Sequence, residues 1–438
     1  MARLEATEAV RRAAGYGHAV LSWIEADGYP VSVAGSFAAA GTSVEVGPVA
    51  AELLPAHGQE VCVTFSHIRP QPGVGYDQRR YVNLWGAAEV SEGGHVRVVV
   101  ERASGWDEAD TPFVEYAERN VGAGLSYLSE MGARPRLSAF WRFFLATRVP
   151  FLTATLVPVG LAGAVAAYDG GFAFGWWLLA LVCAVCAHLG LNIANDLADA
   201  EGSDAVNVTP TPFSGGSRVM QYGLVSKSQM LALSLGCYGV TILTGLWLAA
   251  ARSWWLLVIG VIALVLSVGY SAAPLRLVHR GLGEPVVALG FGPIMAGGAY
   301  LAVTQAWSWP VVYASLPIGI LIALVLYVNQ IPDRIADAQA AKRTLIVRWP
   351  KDRVIQAYAI AVAVAMLLIL VGPLLGITPW WTSLGLLALP LAVPVLRGMR
   401  RSYDAPFGLL GAMGYNILLH LTTGVLLIVG YLVAAVTG

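Results

Sequence analysis

The sequence predicts a multi-pass α-helical membrane protein with nine transmembrane helices, preceded by a small cytoplasmic β-barrel domain. Three observations carry that prediction. Of 438 residues, 57% are hydrophobic and 12% charged, against roughly a quarter charged in a soluble globular chain. The long uncharged runs lie almost wholly after residue 143. Residues 1–118 instead mix charge with short segments that alternate apolar and polar side chains, the period of half-buried strands. The 27 basic and 27 acidic residues cancel, so net charge points to no nucleic-acid partner; the expected partner is a lipid bilayer.

The strands come first. AVLSWIEADGYPVSVAG, SVEV, EVCVTFSHI, RRYVNLWGAAEV and VRVVVE are separated by Gly, Pro and Asp, which predicts a barrel or sandwich over 1–118. The opening MARLEATEAVRRAAGYG has basic residues with no apolar run behind them, so this part is expected to stay in the cytoplasm. A helix near 107–120 and a polar linker over 119–142 lead into the membrane domain, 143–438.

A spanning helix needs roughly 20 mainly apolar residues. Nine stretches qualify: 143–167, 172–195, 228–250, 254–272, 284–304, 309–330, 354–374, 378–396 and 413–436. The loops after the even helices hold nearly all the Lys and Arg, while those after the odd helices hold only Arg252. The even loops and the N-terminus are therefore expected in the cytoplasm and the C-terminus on the opposite side. Apart from Asp169, the acids after residue 143 share the cytoplasmic side, which makes it the reactive face. Cys183 and Cys186 form a CxxC with no second Cys or His pair nearby, and read as two small apolar helix residues. His188 and His420 sit on apolar helices and read as bundle histidines.

Two acid clusters stand out. On a helix, positions three, four and seven apart share a face, so Asn192, Asn195 or Asp196, and Asp199 point together at the end of the second helix, with Asp204 in the loop beyond. Asn329, Asp333 and Asp337 repeat the pattern at the end of the sixth. Carboxylates gathered at the end of a membrane helix need positive charge. Mg²⁺ supplies it while keeping sites for phosphate oxygens and water. With Arg218, Lys342 and Arg343 beside them, the clusters read as a seat for a metal-bound diphosphate; a solvated charged loop is the plainer alternative. Arg218 lies in SGGSR, whose glycines let backbone amides approach a phosphate.

NDLAD followed by Asp204, together with DRIAD, resembles the paired Asp-rich motifs of the UbiA superfamily of intramembrane prenyltransferases. RVPFLTATLVPVGLAG, YSAAPLRL, RGLGEPVVALGFGPIMAGGAYLAVTQ and NQIPDRIADAQAAKRTLIVR are similar to the branch that prenylates 1,4-dihydroxy-2-naphthoate in menaquinone synthesis. The resemblance implies a nine-helix UbiA-like bundle and a Mg²⁺-dependent transfer from a polyprenyl diphosphate to an aromatic acceptor. It implies Asp196, Asp199, Asp204, Asp333 and Asp337 as metal-binding residues. Asn192, Asn195, Arg218, Asn329, Lys342, Arg343 and Tyr270 would hold substrate, and Tyr270, Tyr300 and Tyr327 would offer aromatic faces to a prenyl cation. Two features depart from the branch: Asp204 falls five residues after Asp199, and Pro332 precedes Asp333, where a kink is expected.

Two other functions use some of the same residues. A UbiA-type terpene cyclase would ionise the same diphosphate without an acceptor, and the stretch over 281–305 favours transfer. A transporter would place its ionisable groups near the bilayer midplane, whereas these acids lie at helix ends. ADGYP and RYVNLWGAAEV resemble the split-barrel flavin-binding proteins related to pyridoxamine 5'-phosphate oxidase. Arg79 and Arg80 are the basic candidates for a flavin phosphate, and an interaction module is the other use of such a barrel.

Overall fold

Period-two alternation becomes an antiparallel sheet. The computed structural model describes residues 3–71, 75–113, 115–117, 120–121, 124, 128, 138–207 and 210–437, in two units, Met1–Gly124 and Leu125–Gly438. The first carries strands β1 (Arg3–Leu4), β2 (Ala19–Ile24), β3 (Pro30–Gly35), β4 (Phe37–Ala40), β5 (Ser43–Val46), β6 (Glu60–Gln71), β7 (Gly75–Val90), β8 (Val96–Val99) and β9 (Arg102–Asp107). They run in the order β3-β2-β6-β7-β8-β5-β4, with β9 joining β7 to β1. The expected turn closes β2 on β3, pairing Ile24 with Pro30; Gly28 takes φ +86° and Asp27 Oδ1 accepts the Tyr29 N–H. Leu21, Val63, Phe65, Leu84 and Val98 fill one core, over which helix α1 (Ala6–Ala13) lays Ala9, Val10 and Ala13. The sequence reading missed α1, because a two-turn helix gives too few positions to establish a period. Arg79 is spent on Glu108 and lies over the Phe113 ring, while Arg80 lies over Tyr16. Most of the linker expected over 119–142, and part of the helix expected near 107–120, lie outside the described residues; the last four linker residues, 139–142, are helical instead.

The second unit is helical. Its elements are α2 (Ala139–Thr147), α3 (Thr153–Tyr168), α4 (Phe174–Asp199), α5 (Ser203–Val206), α6 (Lys227–Ala251), α7 (Trp255–Ser271), α8 (Gly283–Leu289), α9 (Met295–Thr304), α10 (Trp309–Gln339), α11 (Leu345–Arg348), α12 (Lys351–Leu374), α13 (Ala392–Ser402) and α14 (Leu410–Thr437). A wider π turn, Gly290–Ile294, joins α8 to α9, and a 3₁₀ stretch, Trp380–Leu391, leads into α13. Among the described residues seven helical stretches are long and apolar enough to cross a membrane; α3 and α7 are apolar but shorter. Large apolar side chains such as Leu243, Trp247, Leu387 and Val436 stay exposed, as suits surfaces facing lipid.

Two local outcomes differ from expectation, and a third concerns helix continuity. The first apolar stretch is broken, because Arg148 takes φ 55° and Val149–Leu152 forms a 3₁₀ turn containing Pro150. Pro332 does not end or divide α10, which runs through Pro317 and Pro332 to Gln339; the face bearing Asn329, Asp333 and Asp337 is thus preserved. Tyr300 belongs to the end of the bundle away from the acid clusters, where its hydroxyl donates to Asp169 Oδ2 at 2.6 Å. It is therefore no candidate to face a cation formed beside the clusters. At that same far end Arg252 donates to the carbonyls of Ala302 and Val303. Cys183 and Cys186 are free thiols, and Cys183 Sγ bonds the Thr241 carbonyl across α4 and α6.

Candidate active site

The acid clusters meet where α4 and α10 end. Asp196, Asp199, Asp204 and Asp337 are each less than a tenth exposed, a costly placement for carboxylates lacking partners. Lys342 is the shared partner: its Nζ lies 2.8 Å from Asp199 Oδ1 and 3.5 Å from Asp337 Oδ1. One buried cation therefore ties two motifs that lie far apart in sequence. Burial opposes the Lys342 charge, but Asp199 and Asp337 outweigh it and hold its pKa above the ordinary lysine value. Arg148, at the broken start of the first stretch, stands 3.9 Å from Asp196 Oδ1.

The SGGSR loop closes the site from a different direction than expected. Its amides bind the aspartates themselves: Gly215 N–H donates to Asp333 Oδ2 at 2.9 Å and Ser217 N–H to Asp196 Oδ2 at 3.0 Å. Asn207 Nδ2 donates to Asp333 Oδ1 at 2.8 Å. Arg218 Nη1 donates to the Asp204 carbonyl at 2.5 Å, ordering the turn that carries Asp204. Burial, reinforced by Asp199 and Asp196, pushes the Asp204 carboxyl up to about 7. The five acids thus outnumber Lys342 and Arg148, and the local field favours a further cation.

The other expected residues divide. Asn329 is buried with Oδ1 unpartnered among the described residues, and Tyr270 is buried within electrostatic reach of Asp199, Asp337 and Arg148. Asn192 and Asn195 are committed to packing: Asn192 Nδ2 donates to the Thr147 carbonyl at 3.2 Å, and Asn195 Oδ1 accepts from Ser271 Oγ at 2.5 Å. Arg343 is exposed, and its backbone N–H bonds the His279 carbonyl. The Tyr327 hydroxyl donates to the Val354 carbonyl. Sequence reasoning missed Arg148 and Asn207. For Arg148 a signal existed, a lone Arg within an otherwise apolar stretch; Asn207 gave none.

Do these residues fit Mg²⁺? Among the described residues no three His, Cys, Asp or Glu side chains close into a metal cage. Mg²⁺ seldom uses one, binding through one or two carboxylates plus phosphate oxygens and water. Asp196 Oδ1 is buried with no hydrogen-bond partner and only Arg148 nearby, 3.9 Å away, so one carboxylate oxygen stands available to such an ion.

The model of the UbiA prenyltransferase family matches residues 156–408. The chain belongs to that family. A curated relative, the 2-carboxy-1,4-naphthoquinone phytyltransferase of Synechocystis sp., is 28% identical over 65% of this chain and 91% of its own length. The 1,4-dihydroxy-2-naphthoate octaprenyltransferase of Mycobacterium tuberculosis is 34% identical over 50% of this chain and 73% of its own. Among solved structures, a UbiA homologue from Archaeoglobus fulgidus bound to GPP and Mg²⁺ is 13% identical, over 67% of this chain and 98% of its own, with a TM-score of 0.42.

One substitution tests whether the UbiA loop is built around its aspartates. Gly216 has φ +72°, and a Cβ there would lie 2.3 Å from Asp204 Oδ2. Gly170, with φ +73°, has nothing within 4 Å of the same atom. Both Ala variants incur similar backbone strain, roughly 1–2 kcal/mol, but only Gly216→Ala displaces an acid. Gly216→Ala is expected to lower prenyl transfer at least tenfold, roughly 1.4 kcal/mol of barrier, while Gly170→Ala keeps near-normal turnover. Equal losses in steady-state assays of the two would show that backbone strain alone is responsible.

Proposed function

We propose that this protein transfers a prenyl group from a polyprenyl diphosphate to an aromatic acceptor, 1,4-dihydroxy-2-naphthoate, in menaquinone biosynthesis. The observation that carries the reading is the joining of both Asp motifs through buried Lys342, beside an Asp196 oxygen that has no hydrogen-bond partner. The naphthoate and naphthoquinone substrates in the relatives' names supply the acceptor. In this reading Asp196, Asp199, Asp204, Asp333 and Asp337 hold Mg²⁺ with the diphosphate. Bound Mg²⁺ would neutralise charge building on the leaving diphosphate. Lys342 and Arg148 add positive charge on the same side, and the loop amides on Asp333 and Asp196 keep the carboxylates aimed. Tyr270, packed beside the acids, offers its ring to the allylic carbon as positive charge develops there.

The α3 and α7 helices, counted as spans with the seven longer ones, give nine crossings. The acid end would then face the cytoplasm with the N-terminal domain, and Gly438 would lie outside. Cysteines introduced at Gln221 and Gly376 test this topology. The first is expected to react with a membrane-impermeant maleimide only after the membrane is opened, the second in intact cells; the reverse pattern would refute the assignment. We read the N-terminal sheet as a split barrel serving interaction.

The activity is tested by incubating purified protein with Mg²⁺ and geranylgeranyl diphosphate, with and without 1,4-dihydroxy-2-naphthoate, and identifying products by mass spectrometry. A decarboxylated prenyl naphthoquinol that requires the acceptor is expected. A cyclic hydrocarbon formed equally without acceptor would replace transfer by cyclisation.

A further inference from the structure

Glu284 lies outside both Asp motifs, and its placement is unusual. It occupies the first turn of α8, where α8 and α10 approach at backbone distance: a Cβ on Gly319 would lie 2.2 Å from the Ala288 carbonyl oxygen. This contact brings the Glu284 carboxylate against the acid-bearing end of α10. Both its oxygens are buried with no hydrogen-bond partner among the described residues, and so are Gln330 Oε1 and Asn329 Oδ1. The Gln330 side chain is the nearest polar neighbour of the carboxylate. No cation pairs with Glu284 among the described residues. Tyr270 and Tyr327 both lie within its field, and the Tyr270 hydroxyl packs 3.6 Å from where a Gly283 Cβ would stand.

Four acceptor oxygens without a hydrogen-bond partner therefore gather here, two on Glu284 and one each on Gln330 and Asn329. Buried carboxylate oxygens left without hydrogen-bond partners are costly, so this wall is matched to a ligand that brings hydroxyl donors. A prenyl diphosphate has none. A dihydroxylated aromatic acid has two.

We propose that Glu284 is the general base that accepts the proton of an acceptor hydroxyl during prenyl transfer. The proposal rests on the aromatic-acceptor reading above. The O–H electron pair moves into the ring as that oxygen becomes a carbonyl. The neighbouring ring carbon, which bears the carboxylate, forms the new C–C bond to the allylic carbon, whose C–O bond breaks with its electron pair leaving on diphosphate. The hydroxyl proton goes to Glu284. The resulting β-keto acid loses CO₂, its electron pair returns to the oxygen, and Glu284 gives the proton back. The carboxylate is regenerated, and no oxidant is needed.

The test separates ionisation from transfer in the full-length protein, with Mg²⁺ and geranylgeranyl diphosphate throughout. Bridge-to-nonbridge ¹⁸O scrambling in the diphosphate reports C–O cleavage without acceptor, and prenyl naphthoquinol formation reports transfer. For Glu284→Gln, scrambling at the wild-type rate is expected together with a transfer kcat lowered about 100-fold, the usual scale of a general base. Glu284→Asp should recover part of that loss. With an acceptor methylated on the hydroxyl next to the carboxylate, wild type and Glu284→Gln should perform equally slowly. The proposal is overturned if Glu284→Gln transfers at the wild-type rate, or if scrambling falls in parallel with transfer, which would make Glu284 structural or a metal ligand. Wild-type scrambling with no transfer to any dihydroxynaphthoate would instead refute the aromatic-acceptor reading itself.

Discussion

Asp196→Asn and Asp333→Asn are each expected to lower prenyl transfer by about a thousandfold or more, the scale of losing electrostatic stabilisation of a leaving group, while the protein still folds. Asparagine nearly preserves shape. Asp333 accepts from Gly215 N–H and Asn207 Nδ2, and an amide oxygen keeps one of those bonds. At Asp196 the Ser217 N–H bond can persist, while the negative oxygen aimed into the site is lost. Steady-state turnover at saturating Mg²⁺, with thermal unfolding as the folding control, decides. Near-normal turnover in either variant removes that aspartate from the site.

Lys342→Met is expected to damage stability as well as turnover. Lys342 is the one cation within 4 Å of Asp199 and of Asp337 among the described residues. Removing one partner of a buried charge pair costs about 3 kcal/mol or more. The metal-free variant should therefore unfold at a clearly lower temperature than wild type, and Mg²⁺ with diphosphate should restore more stability to it than to wild type, since added cations relieve the same acids. Turnover should fall about 100-fold, because Lys342 also adds to the field at the leaving group. Unchanged metal-free stability would show that solvent already screens these acids.

Much of this was legible in the sequence because the relevant periods are short. Spacing by four places Asn329, Asp333 and Asp337 on one helical face whether or not Pro332 bends it, and the alternation in EVCVTFSHI is enough to make β6. What escaped depends on chain path. Asn207 and Asp333 are 126 residues apart, and no local pattern announces their bond. The loop amides followed a similar course: glycines in SGGSR suggested a phosphate cradle, yet their N–H groups reach the aspartates. The break at Arg148 was hidden because residues 143–167 read as one apolar run long enough to span, and length and hydropathy outweighed the breaking signal of Pro150. Asn192 and Asn195 share a face with the acids by spacing, but neighbouring helices claim their side chains, a competition that sequence spacing does not resolve.

The central claim is that both Asp motifs form one metal–diphosphate site. The most direct measurement is equilibrium binding of an unreactive geranylgeranyl thiodiphosphate, titrated with Mg²⁺, to wild type, Asp196→Asn and Asp333→Asn. The account predicts that Mg²⁺ tightens wild-type binding by about 100-fold, a coupling within the usual range for linked ligands, and that either substitution alone abolishes the tightening. Equal affinity in EDTA and in Mg²⁺, or tightening that survives the loss of one motif, would contradict it.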